Sequence, residues 1–101
     1  MDGLTVEKVG PGLFRLHGEL DLARAADLDR ILEEEALQGG DMTLDLSEVE
    51  FLDSTAMGVL ARVARTLEGK GRLILRSPSR AVRLALETAQ LDTRDNIEVV
   101  E

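Results

Sequence analysis

The sequence predicts an α/β fold, a mixed sheet of four or five strands with helices packed mainly on one face. Three observations predict it. Two short apolar segments are joined by Gly10-Pro11-Gly12, a hairpin-type turn. Beyond them, stretches with apolar residues at every second position alternate with stretches whose apolar residues recur at three- and four-residue spacing, the order that builds a sheet with helical crossovers. Right-handed crossovers then put the second and third helices on the same side of the sheet. The chain of 101 residues is the size of one domain and is expected to form a single domain over 1–101.

The elements follow in order. Leu4 to Lys8 and Leu13 to His17 are the strands flanking the turn. After Gly18 to Asp21, Ala25, Leu28, Ile31, Leu32 and Ala36 fall on one helical face, and Gly39-Gly40 stops that helix. Met42 to Ser47 alternates, with Met42, Leu44 and Leu46 facing one way and Thr43, Asp45 and Ser47 the other, as in a strand with one buried face. Glu48 to Asp53 leads into a helix over about Thr55 to Glu68. Its core side carries Ala56, Met57, Leu60, Val63, Ala64 and Leu67, with Val59 at the edge and Gly58, Arg62 and Arg65 opposite. Gly69-Lys70-Gly71 ends it. Arg72 to Arg76 holds Leu73, Ile74 and Leu75 side by side, which predicts a strand covered on both faces. Ser77 as cap and Pro78 at the first helical position predict the start of a third helix with the stripe Val82, Ala85, Leu86 and Ala89. Asn96 to Val100 is expected to add a last strand.

Composition excludes several functions. The net charge of −8 repels phosphate backbones and anionic lipid, so nucleic acid and membrane surfaces are poor partners. Two phenylalanines are the whole aromatic complement, too few for a base-stacking surface. A protein partner with a basic docking face is favoured. Without cysteine there is no disulfide, thiolate metal site or cysteine nucleophile. No signal-peptide pattern follows Met1-Asp2-Gly3, and no apolar run approaches the roughly 20 residues of a spanning helix, so the cytoplasm is the expected compartment.

The stretch from Glu50 to Leu67 carries the chemistry. Asp53, Ser54 and Thr55 each suit a helix cap, yet a helix needs one. The surplus hydroxyl sits just past the carboxyl end of a strand, where α/β proteins place their sites. A phosphate on Ser54 would add about −1.5 to −2 charges. The helix N-terminus would partly favour it, and Asp53, with Asp45, would oppose it. Whether Asp53 or Ser54 is the cap stays open at this level. Gly58, one turn on, costs roughly 1 kcal/mol against alanine inside a helix; a partner's backbone approaching on the face it shares with Arg62 would account for it. Glu33, Glu34 and Glu35 form a solvated helix face. Leu84 and Leu91 come near one angle on the polar side of the third helix and suggest part of a contact patch.

Enzymatic readings fail. Asp21, Asp45 and Asp53 lack the paired acids and late lysine of a magnesium-binding receiver domain. His17 is the one histidine, which leaves zinc without ligands, and Ser54 is not in a Gly-x-Ser-x-Gly elbow. There is no glycine-rich phosphate loop. No catalytic residue, metal or cofactor is expected.

The three blocks 17–32, 42–63 and 71–92 resemble, in order, the STAS domain of bacterial anti-sigma factor antagonists. The block with Leu44-Asp45-Leu46 and Phe51-Leu52-Asp53-Ser54 is the most diagnostic. The resemblance runs from about Val6 to Asp92. It implies a small cytosolic phosphoprotein switch that, when dephosphorylated, binds an anti-sigma factor serine kinase and so releases a sigma factor to regulate transcription. It further implies that this kinase phosphorylates Ser54 and that a PP2C-type phosphatase reverses the step. Asp53 then matches the aspartate before the acceptor, Gly58 the first-turn glycine, and Asp21 an acidic residue near the docking surface. The expected partner surface comprises Asp21, Asp53, Ser54, Thr55, Gly58 and Arg62. The chain departs from the family pattern in having Thr55 where serine is common and Ala56 where a second glycine is common, which firms the helix start and bears on partner selectivity. The alternative within the family is a non-catalytic scaffold subunit of a stress-signalling assembly or lipid-transport complex.

Overall fold

The computed structural model describes residues 5–20 and 22–101. Leu4, the first residue of the expected first strand, Asp21, and the side chain of Ala25 lie outside that description. The elements are β1 (Thr5–Gly10), β2 (Leu13–Leu20), α1 (Leu22–Ala36), β3 (Met42–Leu52), α2 (Ser54–Leu67), β4 (Leu73–Arg76), α3 (Arg80–Thr88), a 3-10 turn (Leu91–Thr93) and β5 (Ile97–Val100). They form one five-stranded sheet whose order in space is the order in the chain. β1 and β2 are antiparallel; β2, β3, β4 and β5 are parallel. Gly12 closes the hairpin with φ of +64°, and a Cβ there would strike the Asp41 carbonyl, so glycine is required twice over.

One face of the sheet is buried. Phe14 and Leu16, Met42, Leu44, Leu46, Val49 and Leu52, Leu73 and Leu75, and Ile97 all point into it. Against them pack Leu28, Leu32 and Ala36 of α1, the stripe Ala56, Met57, Val59, Leu60, Val63, Ala64 and Leu67 of α2, and Val82 and Leu86 of α3. Each fully buried leucine contributes about 1.5–3 kcal/mol. Because the crossovers all run the same way across the sheet, the helices share this face, as predicted. α1 and α2 are further joined by Arg62 Nε donating to Asp29 Oδ1 at 3.2 Å and by the Thr66 hydroxyl donating to Glu33 at 2.9 Å.

Four differences from the sequence reading have physical reasons. β3 runs on to Leu52 rather than stopping at Ser47. Its strict alternation ends there because buried Leu46 is followed by buried Val49, a spacing of three. The register irregularity between Arg15 and His17 of β2 absorbs the extra residue. Ile74 is half-buried on the uncovered face, between Thr43 and Glu98, rather than under a second layer. The cap of α3 is Ser79, whose Oγ accepts from the Val82 amide at 3.2 Å. Ser77 instead takes a left-handed φ of 57° and donates its amide to Val100 at 2.8 Å, which ties the β4–α3 loop to β5. Finally, Leu91 is 5 % exposed and belongs to the core, not to a patch with Leu84. α3 ends at Thr88, and Gln90 at φ 60° swings the chain so that Leu91 turns inward.

Candidate functional site

The site forms where β3 passes into α2. Asp53 is extended, with φ −97° and ψ −176°, and its Oδ1 accepts from the Ala56 amide at 3.0 Å. Its carbonyl accepts from Met57 at 3.0 Å. Asp53 is therefore the cap, which settles the ambiguity among the three polar residues. Ser54 is the first helical residue and is exposed; Thr55 is half-buried beside it. Gly58 is exposed one turn later, and a Cβ built on it would meet nothing within 4 Å. Arg62 lies on the same helix but is engaged with Asp29 of α1.

The structure joins to this corner a wall that the sequence reading left out. Leu52, Asp53, Ser54 and Met57 on one side face Ala81, Leu84, Ala85, Thr88 and Ala89 of α3 on the other, across an open groove of about 400 Å³. Among these lining residues Asp53 is the one charge. Leu84 is 62 % exposed here, a large apolar side chain left at the surface. The signal was present as the spacing 81, 84, 85, 88, but Ala85 and Ala89 also fitted the buried stripe. Alanines do not distinguish a core face from a groove wall. A larger hollow of about 480 Å³ lies between the end of α2 and the loop before β5, and none of the predicted residues line it.

Asp45 does not belong to the site. It stands on the uncovered sheet face seven residues before the end of β3, more than about 20 Å away at strand spacing, so it does not oppose a charge on Ser54. It lies between Arg15 of β2 and Arg76 of β4, with N···O distances of 3.8 and 3.5 Å. Burial pushes its carboxyl upward, but hydrogen bonds from the Ser47 amide and hydroxyl and from Arg76 outweigh that and hold it below the ordinary aspartate value. His17, also on this face, contacts Glu48 and Glu7. Asp21 lies outside the described residues.

No helix among the described residues is long and apolar enough to cross a membrane. No curated protein matches the chain by sequence. Among solved structures, an anti-sigma factor antagonist from Mycobacterium paratuberculosis superposes with a TM-score of 0.81 at 22 % identity, covering 94 % of this chain and 85 % of its own. The anti-sigma factor antagonist SpoIIAA in its unphosphorylated form gives 0.76 at 23 % identity, covering 97 % and 88 %. The Bacillus cell fate determinant SpoIIAA in its phosphorylated form gives 0.69 at 22 %, covering 97 % and 91 %. At these identities the likeness is one of fold. The STAS domain family profile matches residues 4–99, nearly the full length. The chain therefore belongs to the STAS domain family.

Proposed function

We propose that this protein is an anti-sigma factor antagonist, a cytoplasmic binding module rather than an enzyme, whose hold on an anti-sigma factor serine kinase is controlled by phosphorylation of Ser54. Dephosphorylated, it occupies the kinase and a sigma factor is released; a PP2C-type phosphatase resets the phosphorylated form. The supporting observation is the position of Ser54, an exposed hydroxyl beside the Asp53 cap on the rim of an apolar groove. The two forms in which SpoIIAA has been solved support the same reading.

The mechanism is electrostatic. A partner that covers the groove also covers Ser54. A phosphate there brings about −1.5 to −2 charges. The N-terminal dipole of α2 tolerates them, so the fold persists. The covered interface does not, because a desolvated and unpaired dianion is very costly. Asp53, Thr55 and Gly58 border the acceptor and belong to the proposed contact; Arg62 contributes through its hold on α1, and Asp21 through its place in the family motif.

Affinity for the kinase partner tests this. Ser54→Ala should bind like the parent, and Ser54→Asp at least about tenfold more weakly, a difference of about 1.4 kcal/mol. Leu84→Asp should weaken binding with little change in thermal stability, because Leu84 is exposed. Parental binding by Ser54→Asp would overturn the exclusion mechanism. An unmodified Ser54 after incubation with the kinase and ATP would favour the non-catalytic scaffold reading instead.

A further inference from the structure

The geometry points to Thr88 as a second phosphoryl acceptor, set on the opposite wall of the groove that Ser54 borders, so that one partner contact is switched from two sides. The inference rests on the reading of Ser54 as the first acceptor.

Among the residues whose exposure is described, five exposed ones carry a serine or threonine hydroxyl: Ser47, Ser54, Ser79, Thr88 and Thr93. Three are committed. The Ser47 hydroxyl bonds Asp45, the Ser79 oxygen caps α3, and the Thr93 hydroxyl donates to the Gln90 carbonyl at 2.8 Å. Thr66, half-buried, donates to Glu33. Of the exposed five, Ser54 and Thr88 remain, without a hydrogen-bond partner among the described residues, and both line the same groove. Apolar surface separates them, Leu84 and Met57 included, so a protein seated there covers both hydroxyls together.

The step is the one proposed for Ser54. Thr88 Oγ1 attacks the γ-phosphorus of ATP held by the kinase. The Oγ1–P bond forms and the bond from that phosphorus to the β–γ bridging oxygen breaks. ADP leaves, and the hydroxyl proton passes to a base of the kinase. The two acceptors sit in opposite fields. Ser54 opens α2, where a helix favours negative charge; Thr88 closes α3 directly after Glu87, where a helix opposes it. Thr88 is therefore the slower acceptor, modified to a lower stoichiometry than Ser54.

The test uses the full chain incubated with an extract of its source cells and γ-labelled ATP, followed by phosphoamino-acid analysis and mass spectrometry. The parent should yield phosphoserine at Ser54 and less phosphothreonine at Thr88. Ser54→Ala should retain the phosphothreonine, and Thr88→Val should lose it while melting like the parent. Label on Ser54 with none on Thr88 overturns this inference alone. Phosphothreonine that survives Thr88→Val overturns it in favour of another site. Label on Thr88 with none on Ser54 supports Thr88 as an acceptor and removes the Ser54 reading, and a chain without label overturns both.

Discussion

Asp53 accepts the Ala56 amide, and that one bond decides which of three adjacent polar residues is the cap. The side chains alone could not decide it, because aspartate, serine and threonine all cap well. The extended backbone at Asp53 and the helical start at Ser54 do. The sequence was thus enough to place the start of the helix, but not to choose its cap. Asp53→Ala should cost about 1 kcal/mol of stability, as loss of a cap does, and Asp53→Asn much less; urea denaturation of the two variants measures the difference. The same lesson runs the other way at Ser77 and Ser79. Both flank Pro78, and the cap position depends on a contact remote in sequence, the Val100 carbonyl that takes the Ser77 amide.

At the scale of elements, α2 was the most legible, because its apolar stripe is unbroken and its opposite side is charged. Only Val59 moved, from the edge to the core. α3 was the least legible, since alanine at 81, 85 and 89 is compatible with burial and with exposure alike. β3 was read short because its alternation breaks where a neighbouring strand shifts register, which no local pattern announces. Gly58 gives a test at this scale. A methyl group there meets open space, so Gly58→Ala should raise stability by up to about 1 kcal/mol. For a domain of this size that corresponds to roughly 4–8 °C in Tm by calorimetry. If a partner's backbone comes close at this turn, the same variant binds the kinase more weakly despite being the more stable protein.

Across the whole molecule, one sheet face holds the core and the other is knitted by charge. The line Arg15–Asp45–Arg76 crosses three strands in register, and the Asp45 side chain retains 13 % exposure. Its carboxyl is held below the ordinary value, so the folded chain binds fewer protons there than the unfolded one. That contribution is complete above the unfolded aspartate value of about 4 and fades as pH falls toward and through the folded value. Acid titration of stability should therefore show a loss in that window, and Asp45→Asn should remove this part of the pH dependence while lowering stability at neutral pH. Sequence alternation located Asp45 on the polar face. It could not show that the strands on either side supply the two guanidinium groups, because pairing between strands is a long-range fact.

The strand order that repeats the chain order has a consequence for how the protein is made. Every new strand finds its neighbour already in place, so the sheet can lengthen edge by edge as the polypeptide leaves the ribosome, each parallel addition closing one crossover. The hairpin β1–β2 comes first, and β3 with α2 extends it before α3 exists. Ser54 is thus positioned on its helix before the groove has a second wall, and it is α3 that completes that wall.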